Sequence, residues 1–390
     1  MKTPLTRPVV RRGLTSAAAF LVAVLCWTAG STAPAHAAGA PPELAAAAWF
    51  LVGEDGEVLA AQRADEQRAI ASITKLMTAI VTLEHARLSE EVTVAPRSAR
   101  VGESTANLRT GESLPVSTLL RALLVASAND AADALATHVG EGSTARFVEL
   151  MNAKASALGL GETHFVNPHG LDEPGHVSSA EDATTLLRYA LGVPFIRDAV
   201  DRTSVELPGG REFPTTDDLL DSWPPLLGGK TGHTADAGWS ETAAARARGV
   251  TVYGTVLGGS SRTARNAALQ ELLTYGLSQY HRVAAIDASR TYTEAETGYD
   301  QPLVRLVAPQ TVGVTVREGK PLVERIIAPG VVELPVKKGQ RLGTVEVYDG
   351  SRLVAKSRLV AAEAVSEPGW LGKASWYAKQ TAANLWGMFS

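Results

Sequence analysis

At 390 residues, with 45% hydrophobic and 20% charged side chains, the chain is long enough for one large globular domain and a smaller companion. Its net charge of −4 argues against a nucleic-acid surface. A single cysteine, Cys26, rules out an internal disulfide framework.

The first 37 residues read as an export signal rather than as part of the fold. Lys2, Arg7, Arg11 and Arg12 make a basic start, residues 14–28 are apolar, and Ala35-His36-Ala37 offers small residues for cleavage after Ala37 or Ala38. The apolar run is short for a membrane span. Leu25 stands before Cys26 where a lipid-attachment site wants a small residue. Cleavage removes four of the 37 basic side chains and no acidic one, leaving 33 against 41 and a net charge of −8. The mature chain then has no thiol, and its stability rests on its core.

Residues 46–51 and 58–60 flank the turn Glu54-Asp55-Gly56-Glu57, a hairpin signal. Ser72 and Lys75 open a helical pattern that runs through Ile80-Val81-Thr82-Leu83, which puts positions 72 and 75 on one face. A short strand is expected over 92–94 and a loop over 97–111. Helices are expected over 117–126, 130–139, 143–158, 179–191 and 262–275, with a strand over 251–257. Strands from both ends with helices between them predict an α/β sheet partly closed by a helical layer, over residues 38–283. Period-two alternation at 312–316, 322–326, 344–348 and 353–359 predicts a small all-β sandwich over 284–365, with no polar constellation that suggests chemistry. Residues 367–390 carry Trp370, Trp376, Tyr377 and Trp386 in a chain of 6% aromatics. Helical spacing places most of the apolar side chains on one face. That pattern predicts an amphipathic helix lying on a membrane surface through 368–390. Lys373, Lys379, Gln380 and Asn384 interrupt the segment too often for a span.

Three short patterns carry chemistry: Ser72-x-x-Lys75, Ser127-Ala128-Asn129 and Lys230-Thr231-Gly232. Such a set, with Ser-Asp-Asn in the middle, occurs in penicillin-binding proteins and class A β-lactamases. A serine needs a neighbouring base to become a nucleophile. Lys75 can serve if burial and the charge of Lys230 depress its pKa. Ser127 is placed to relay a proton to a leaving amine, and Asn129 to hold the substrate amide or Lys75. Lys230 precedes two small residues, as on an exposed strand along which a peptide can lie. Lys230 and Thr231 offer a charge and a hydroxyl to a substrate carboxylate, and Gly232 admits a close backbone. The backbone N–H groups of Ser72 and His233 are the candidates for an oxyanion hole.

Beyond the three motifs, Ala61-Gln62-Arg63-Ala64-Asp65, Met151-Asn152, Ala157-Leu158-Gly159-Leu160, Thr163-His164-Phe165, His169-Gly170-Leu171-Asp172 and Lys230-Thr231-Gly232-His233-Thr234 with Ala237-Gly238 resemble one family. It is that of the low-molecular-mass penicillin-binding proteins acting as D-alanyl-D-alanine carboxypeptidases, serine peptidase family S11, penicillin-binding protein 5 among them. The β-rich region and the Trp-rich tail follow in that family's order. The resemblance implies removal of the terminal D-alanine from peptidoglycan pentapeptide stems, covalent inhibition by β-lactams, and an exported enzyme peripheral on the outer face of the cytoplasmic membrane. Relatives often carry Asn-basic-Asn-x-Leu-Leu ahead of the Lys-Thr-Gly strand. Here the segment is Thr215-Thr216-Asp217-Asp218-Leu219-Leu220, and Thr216 stands where the cation would be.

Other polar residues have quieter readings. His169 is expected to order a turn beneath the site, and Asp130 to cap the helix that follows it. His164, His176, His233 and Asp172 lack metal-ligand spacing, so neither a metal nor another cofactor is expected. Two alternatives to a carboxypeptidase are a serine β-lactamase and a catalytically silent wall-binding protein. The first would need a deacylating Glu, and Glu149 with Asn152 has the wrong spacing. The second is at odds with three intact motifs.

Overall fold

The computed structural model describes residues 20–28 and 40–387, with side chains described for 40–383. In chain order, the elements begin with β1 (Phe20–Thr28), β2 (Ala48–Gly53), β3 (Val58–Gln62), a 3-10 turn at Ala71–Thr74 and α1 (Lys75–His85). Next come β4 (Glu91–Thr93), β5 (Ser113–Pro115), α2 (Val116–Val125), α3 (Asn129–Val139), α4 (Thr144–Ala157), α5 (Ala180–Gly192) and α6 (Pro194–Val200). They are followed by β6 (Ser204–Leu207), β7 (Arg211–Pro214), α7 (Leu219–Ser222), β8 (Leu226–Thr234), β9 (Gly238–Ala247), β10 (Val250–Gly259) and α8 (Arg262–Ser278). The chain divides into one unit over Ala37–Tyr280 and a second over His281–Ser390, with which β1 is grouped.

In the first unit an antiparallel sheet of order β3-β2-β10-β9-β8 draws strands from both ends of the unit. Every residue of β2 is buried, because both faces of the strand are covered. Trp49 and Leu51 pack with Leu269, Leu272 and Leu273 of α8, whereas Ala48, Phe50 and Val52 pack into the helical layer with Ile73, Leu76 and Leu187. Strand β9 follows the same alternation with small side chains, Ala243 and Ala245 toward α8 and Ala244 toward the helices. A threonine ladder crosses this second face, with Thr184 Oγ1 2.6 Å from Thr255 Oγ1, which lies 2.7 Å from Thr242 Oγ1. The hairpin expected around Asp55-Gly56 is β2–β3, and the expected helices fall on α1, α2, α3, α4, α5 and α8 within a few residues. Helix α6 and the hairpin β6–β7 were not expected from the sequence.

One expectation is corrected. Asp130 does not cap α3: the N-cap is Ala128, which has no side-chain bond, and Asp130 lies in the first turn. Its buried carboxylate accepts from the backbone N–H groups of Ala106, Leu108 and Ala131 at 2.9–3.1 Å, so it pins the loop before β5 onto the helix.

Among the described residues the second unit is all-β except for its last helix. Its strands are β11 (Tyr280–Ile286), β12 (Thr291–Thr297), β13 (Val304–Val307), β14 (Val312–Arg317), β15 (Pro321–Pro329), β16 (Val331–Val332), β17 (Arg341–Asp349) and β18 (Arg352–Ala361). They form a sheet of order β1-β15-β17-β18-β13-β12-β16 with a β11–β14 pair, around a core that includes Leu306, Leu322, Ile326, Val345, Val347 and Leu359. Of the segment read as an export signal, residues 1–19 and 29–39 lie outside the described residues, and β1 runs antiparallel along β15. Helix α9 (Trp370–Gly387) follows, and the expected Met388 and Phe389 of its apolar face lie outside the described residues. Trp370 and Leu371 are 77% and 65% exposed, so α9 does not bury an apolar face on its own unit. Its contacts there include Tyr299, which meets the rings of Trp376 and Tyr377 edge-on at 5.2 and 6.1 Å, and Lys373, which pairs with Glu367 at 2.5 Å.

Candidate active site

Three segments converge at one end of the first unit: the turn that opens α1, the junction of α2 and α3, and the edge strand β8. Ser72 sits in the 3-10 turn and is half-buried, and Lys75 begins α1 with its side chain fully enclosed. The amine of Lys75 lies 2.6 Å from Ser72 Oγ, 2.7 Å from Asn129 Oδ1 and 2.8 Å from the His169 carbonyl oxygen. Burial, reinforced by the charge of Lys230, holds the amine well below the usual lysine range. A neutral amine has two protons and a lone pair. Two of its three neighbours can only accept, so they take the two protons and leave the lone pair facing the Ser72 hydroxyl.

The nucleophile turn is braced from beneath by residues 167–170. Thr78 Oγ1 donates to the Pro168 carbonyl at 2.5 Å, and Asn167 Oδ1 accepts from the Gly170 N–H at 2.7 Å. Gly170 has φ +87°, and a Cβ there would stand 1.9 Å from the Ala71 carbonyl oxygen, so only glycine fits. His169 presents its carbonyl to Lys75 while its Nδ1 accepts from the Leu171 N–H at 3.3 Å, a turn-ordering role. Burial brings its imidazole down to about 3, which makes it a neutral ring at ordinary pH. His176, which the sequence did not single out for this site, is 2.8 Å from Thr74 Oγ1 through Nε2 and accepts the Val166 N–H at Nδ1. Nδ1 as acceptor fixes the proton on Nε2 and directs it to the nucleophile turn. Burial brings this ring down to about 4.

The middle motif supplies a strained corner. Ser127 is 4% exposed and adopts φ +59°, a left-handed backbone that a non-glycine residue holds only under tertiary constraint. Asn129 accepts from Lys75 at Oδ1 and donates from Nδ2 to the Gly102 carbonyl at 2.9 Å. It therefore holds Lys75 and the loop at 102.

Among the described residues strand β8 has no partner on its outer side, which leaves an edge for an extended peptide. The strand is an edge, yet Lys230 is only 1% exposed, because its side chain points toward the helical layer with Thr242 opposite on β9. Burial, with Arg265 adding to it, brings Lys230 down to about 7. At Gly232 a Cβ would lie 2.8 Å from the Ile70 carbonyl oxygen and 3.2 Å from Ser72 N, so the strand backbone abuts the nucleophile turn. His233 is exposed and its ring lies over Trp239, centroids 4.1 Å apart. Thr231 Oγ1 is 2.7 Å from Thr216 Oγ1, so position 216 does border this strand, with a hydroxyl and no charge. A cleft of about 440 Å³ opens beside the turn, lined by Arg68, Ala71, Asp172, Glu173 and Asp236 among others.

A serine held by a buried neutral amine, beside a second buried amine on an edge strand, is a constellation for acyl transfer. Asn152 is spent on both backbone groups of Phe165 at 2.8 Å, and Glu149 is exposed on α4, so this pair does not form a deacylating base.

Comparison with known proteins agrees with this geometry. A family model described as D-alanyl-D-alanine carboxypeptidase matches residues 35–261, and one for the C-terminal domain of penicillin-binding protein 5 matches residues 280–367. The D-alanyl-D-alanine carboxypeptidase DacC of Escherichia coli is 31% identical over 388 residues, covering 93% of this chain and 94% of its own. Among solved structures, penicillin-binding protein 5 of Haemophilus influenzae aligns with a TM-score of 0.61 at 26% identity, over 84% of this chain and 100% of its own. The Streptomyces K15 DD-transpeptidase aligns with a TM-score of 0.59 at 31% identity, over 62% of this chain and 100% of its own.

Proposed function

As the chain belongs to the D-alanyl-D-alanine carboxypeptidase family, we propose that it removes the terminal D-alanine from peptidoglycan pentapeptide stems through an acyl-enzyme on Ser72. The observation that carries this reading is the triple contact of Lys75 Nζ, which leaves its lone pair to the Ser72 hydroxyl. Ser72 Oγ attacks the carbonyl carbon of the penultimate D-alanine while its proton passes to Lys75. The N–H groups of Ser72 and His233 receive the developing oxyanion. Collapse breaks the C–N bond, and the proton moves from Lys75 through Ser127 to the leaving amine. Water then attacks the ester, Lys75 takes its proton, and the tetrapeptide leaves with Ser72 restored. Lys230, Thr231 and Gly232 hold the substrate along β8, Thr231 offering its hydroxyl to the terminal carboxylate and Lys230 its charge from the other face of the strand, and Asn129 keeps Lys75 aimed.

The β-lactams, which carry a strained amide and a carboxylate, acylate the same serine. Labelled penicillin is expected to leave a long-lived adduct on the Ser72 peptide. Rapid turnover of the label would support a β-lactamase instead, and absence of labelling a silent scaffold.

The same reading divides the chain into an export signal (1–37), a catalytic domain (38–283), a β-sandwich (284–365) and an anchor helix (367–390). The exposed Trp370, Leu371 and Tyr377 support peripheral attachment of α9 to the outer face of the cytoplasmic membrane. No described helix is long and apolar enough to cross a membrane. A chain ending at Ser366 is expected to lose vesicle binding, and co-sedimentation of that truncated form would overturn the anchor.

A further inference from the structure

Behind the carboxylate-binding end lies a buried group of charges that the reaction does not use. Thr231 on β8 pairs with Glu241 on β9, so their side chains share the face covered by α8. Glu241 is 0% exposed, and its Oε2 lies 2.9 Å from Arg265 Nε, whose side chain is 2% exposed. Asp217, one residue beyond Thr216, is 6% exposed and near enough to Glu241 that each carboxyl acts on the other's ionisation. Asp217 Oδ1 accepts the Leu219 N–H at 3.0 Å. As two carboxylates the pair would be poorly served. Glu241 Oε1, Glu241 Oε2 and Asp217 Oδ2 are buried without a well-aligned donor, the Arg265 contact being one of charge rather than direction. Buried acceptors in that state demand an explanation, and a proton on one carboxyl supplies it.

We propose that Glu241 is a neutral acid that donates a hydrogen bond to Asp217, so that the two carboxyls carry one negative charge between them, which Arg265 balances, and the charge that Lys230 carries is left uncancelled behind Thr231. Burial first, and then the neighbouring Asp217 charge, push Glu241 well above the carboxylate range, and burial raises Asp217 as well. The other charges around the pair are Lys230 on the opposite face of β8, Arg262 on α8, and Asp218, which is ion-paired to Arg262. With two ionised carboxylates the charge of Arg265 and whatever charge Lys230 carries would be cancelled or outweighed. With a shared proton the group is one charge more positive toward the substrate carboxylate, in a protein whose position 216 supplies none. Glu241 and Asp217 are thus positioning residues that act through Arg265, Lys230 and Thr231. This inference deepens the carboxypeptidase reading and rests on it.

The test compares Glu241→Gln, which keeps a neutral donor, with Glu241→Leu, which keeps the volume and loses it. With a peptide ending in D-Ala-D-Ala, Glu241→Gln is expected to hold KM within about twofold of wild type. Glu241→Leu, which leaves Asp217 charged and unpaired, is expected to raise KM about tenfold at unchanged kcat. Infrared difference spectra at neutral pH are expected to show a protonated-carboxyl stretch in wild type that is missing from both variants. Equal damage from Gln and Leu, or no such band, overturns the inference. The infrared arm needs no activity, so failure of the wild type to release D-alanine would strike the functional reading and leave this one standing on its own evidence.

Discussion

Replacing Asn129 by Asp tests the claim that Lys75 works as a neutral amine. The change keeps the shape of the side chain and puts a carboxylate oxygen where Oδ1 now accepts from Lys75 Nζ at 2.7 Å. At that separation and an effective dielectric of about 20, the attraction between unit charges is about 6 kcal/mol. The cost of burying the new charge offsets much of it. If a third survives, about 2 kcal/mol, the ratio of neutral to charged Lys75 at a given pH falls about thirtyfold. The new carboxylate also loses the bond that Nδ2 donates to the Gly102 carbonyl at 2.9 Å, which costs about 1–3 kcal/mol of stability. The assay is the second-order rate of acylation by a fluorescent penicillin, measured from pH 6 to about pH 10. The expected result is a loss that approaches about thirtyfold toward the acid end and shrinks as pH rises and the amine gives up its proton. A loss of the same size at every pH would mean that Asn129 acts by placement alone, and the neutral-amine argument would fall.

Three other outcomes follow from the same geometry. Thr216→Arg exchanges a neutral bond to Thr231 for a charge-assisted one to the substrate carboxylate, and KM is expected to fall about tenfold with kcat little changed; an unchanged KM would mean that position 216 does not reach the substrate. Gly170→Ala drives a Cβ into the Ala71 carbonyl at a left-handed φ, so urea unfolding is expected to show a loss of about 3 kcal/mol or more. For His176 burial holds the folded pKa at about 4, below the 6.5 of a free imidazole. Its contribution is therefore complete above pH 6.5 and is lost as pH falls toward 4, about 3 kcal/mol in all. The difference in unfolding free energy between pH 7 and pH 4.5 is expected to shrink by most of that amount in His176→Gln, and an unchanged difference would refute the assignment.

What could be read in the sequence was local. Ser72 and Lys75 announce themselves because one helical turn fixes their separation, and Asp55-Gly56 because its turn chemistry is its own. Strand β9 was hidden because Ala243, Ala244 and Ala245 are buried on both faces, which erases the alternation that marks a half-exposed strand. Asp130 looked like a cap, yet its partners Ala106 and Leu108 lie in a loop more than twenty residues earlier. His176 and Gly170 serve the nucleophile turn from about a hundred residues away, and no spacing rule reports such a brace. A lone carboxylate, Glu241, in a strand of small residues was the one visible sign of the buried pair. Its meaning depends on Asp217 and Arg265, which only the sheet and α8 bring to it.

The central claim is that Ser72 is the nucleophile of a D-alanine-releasing enzyme. Incubating the wild type and Ser72→Ala with a pentapeptide ending in D-Ala-D-Ala, and measuring free D-alanine, tests it most directly. Steady release by the wild type and none above background by Ser72→Ala is the expected result; release by both forms would contradict the account.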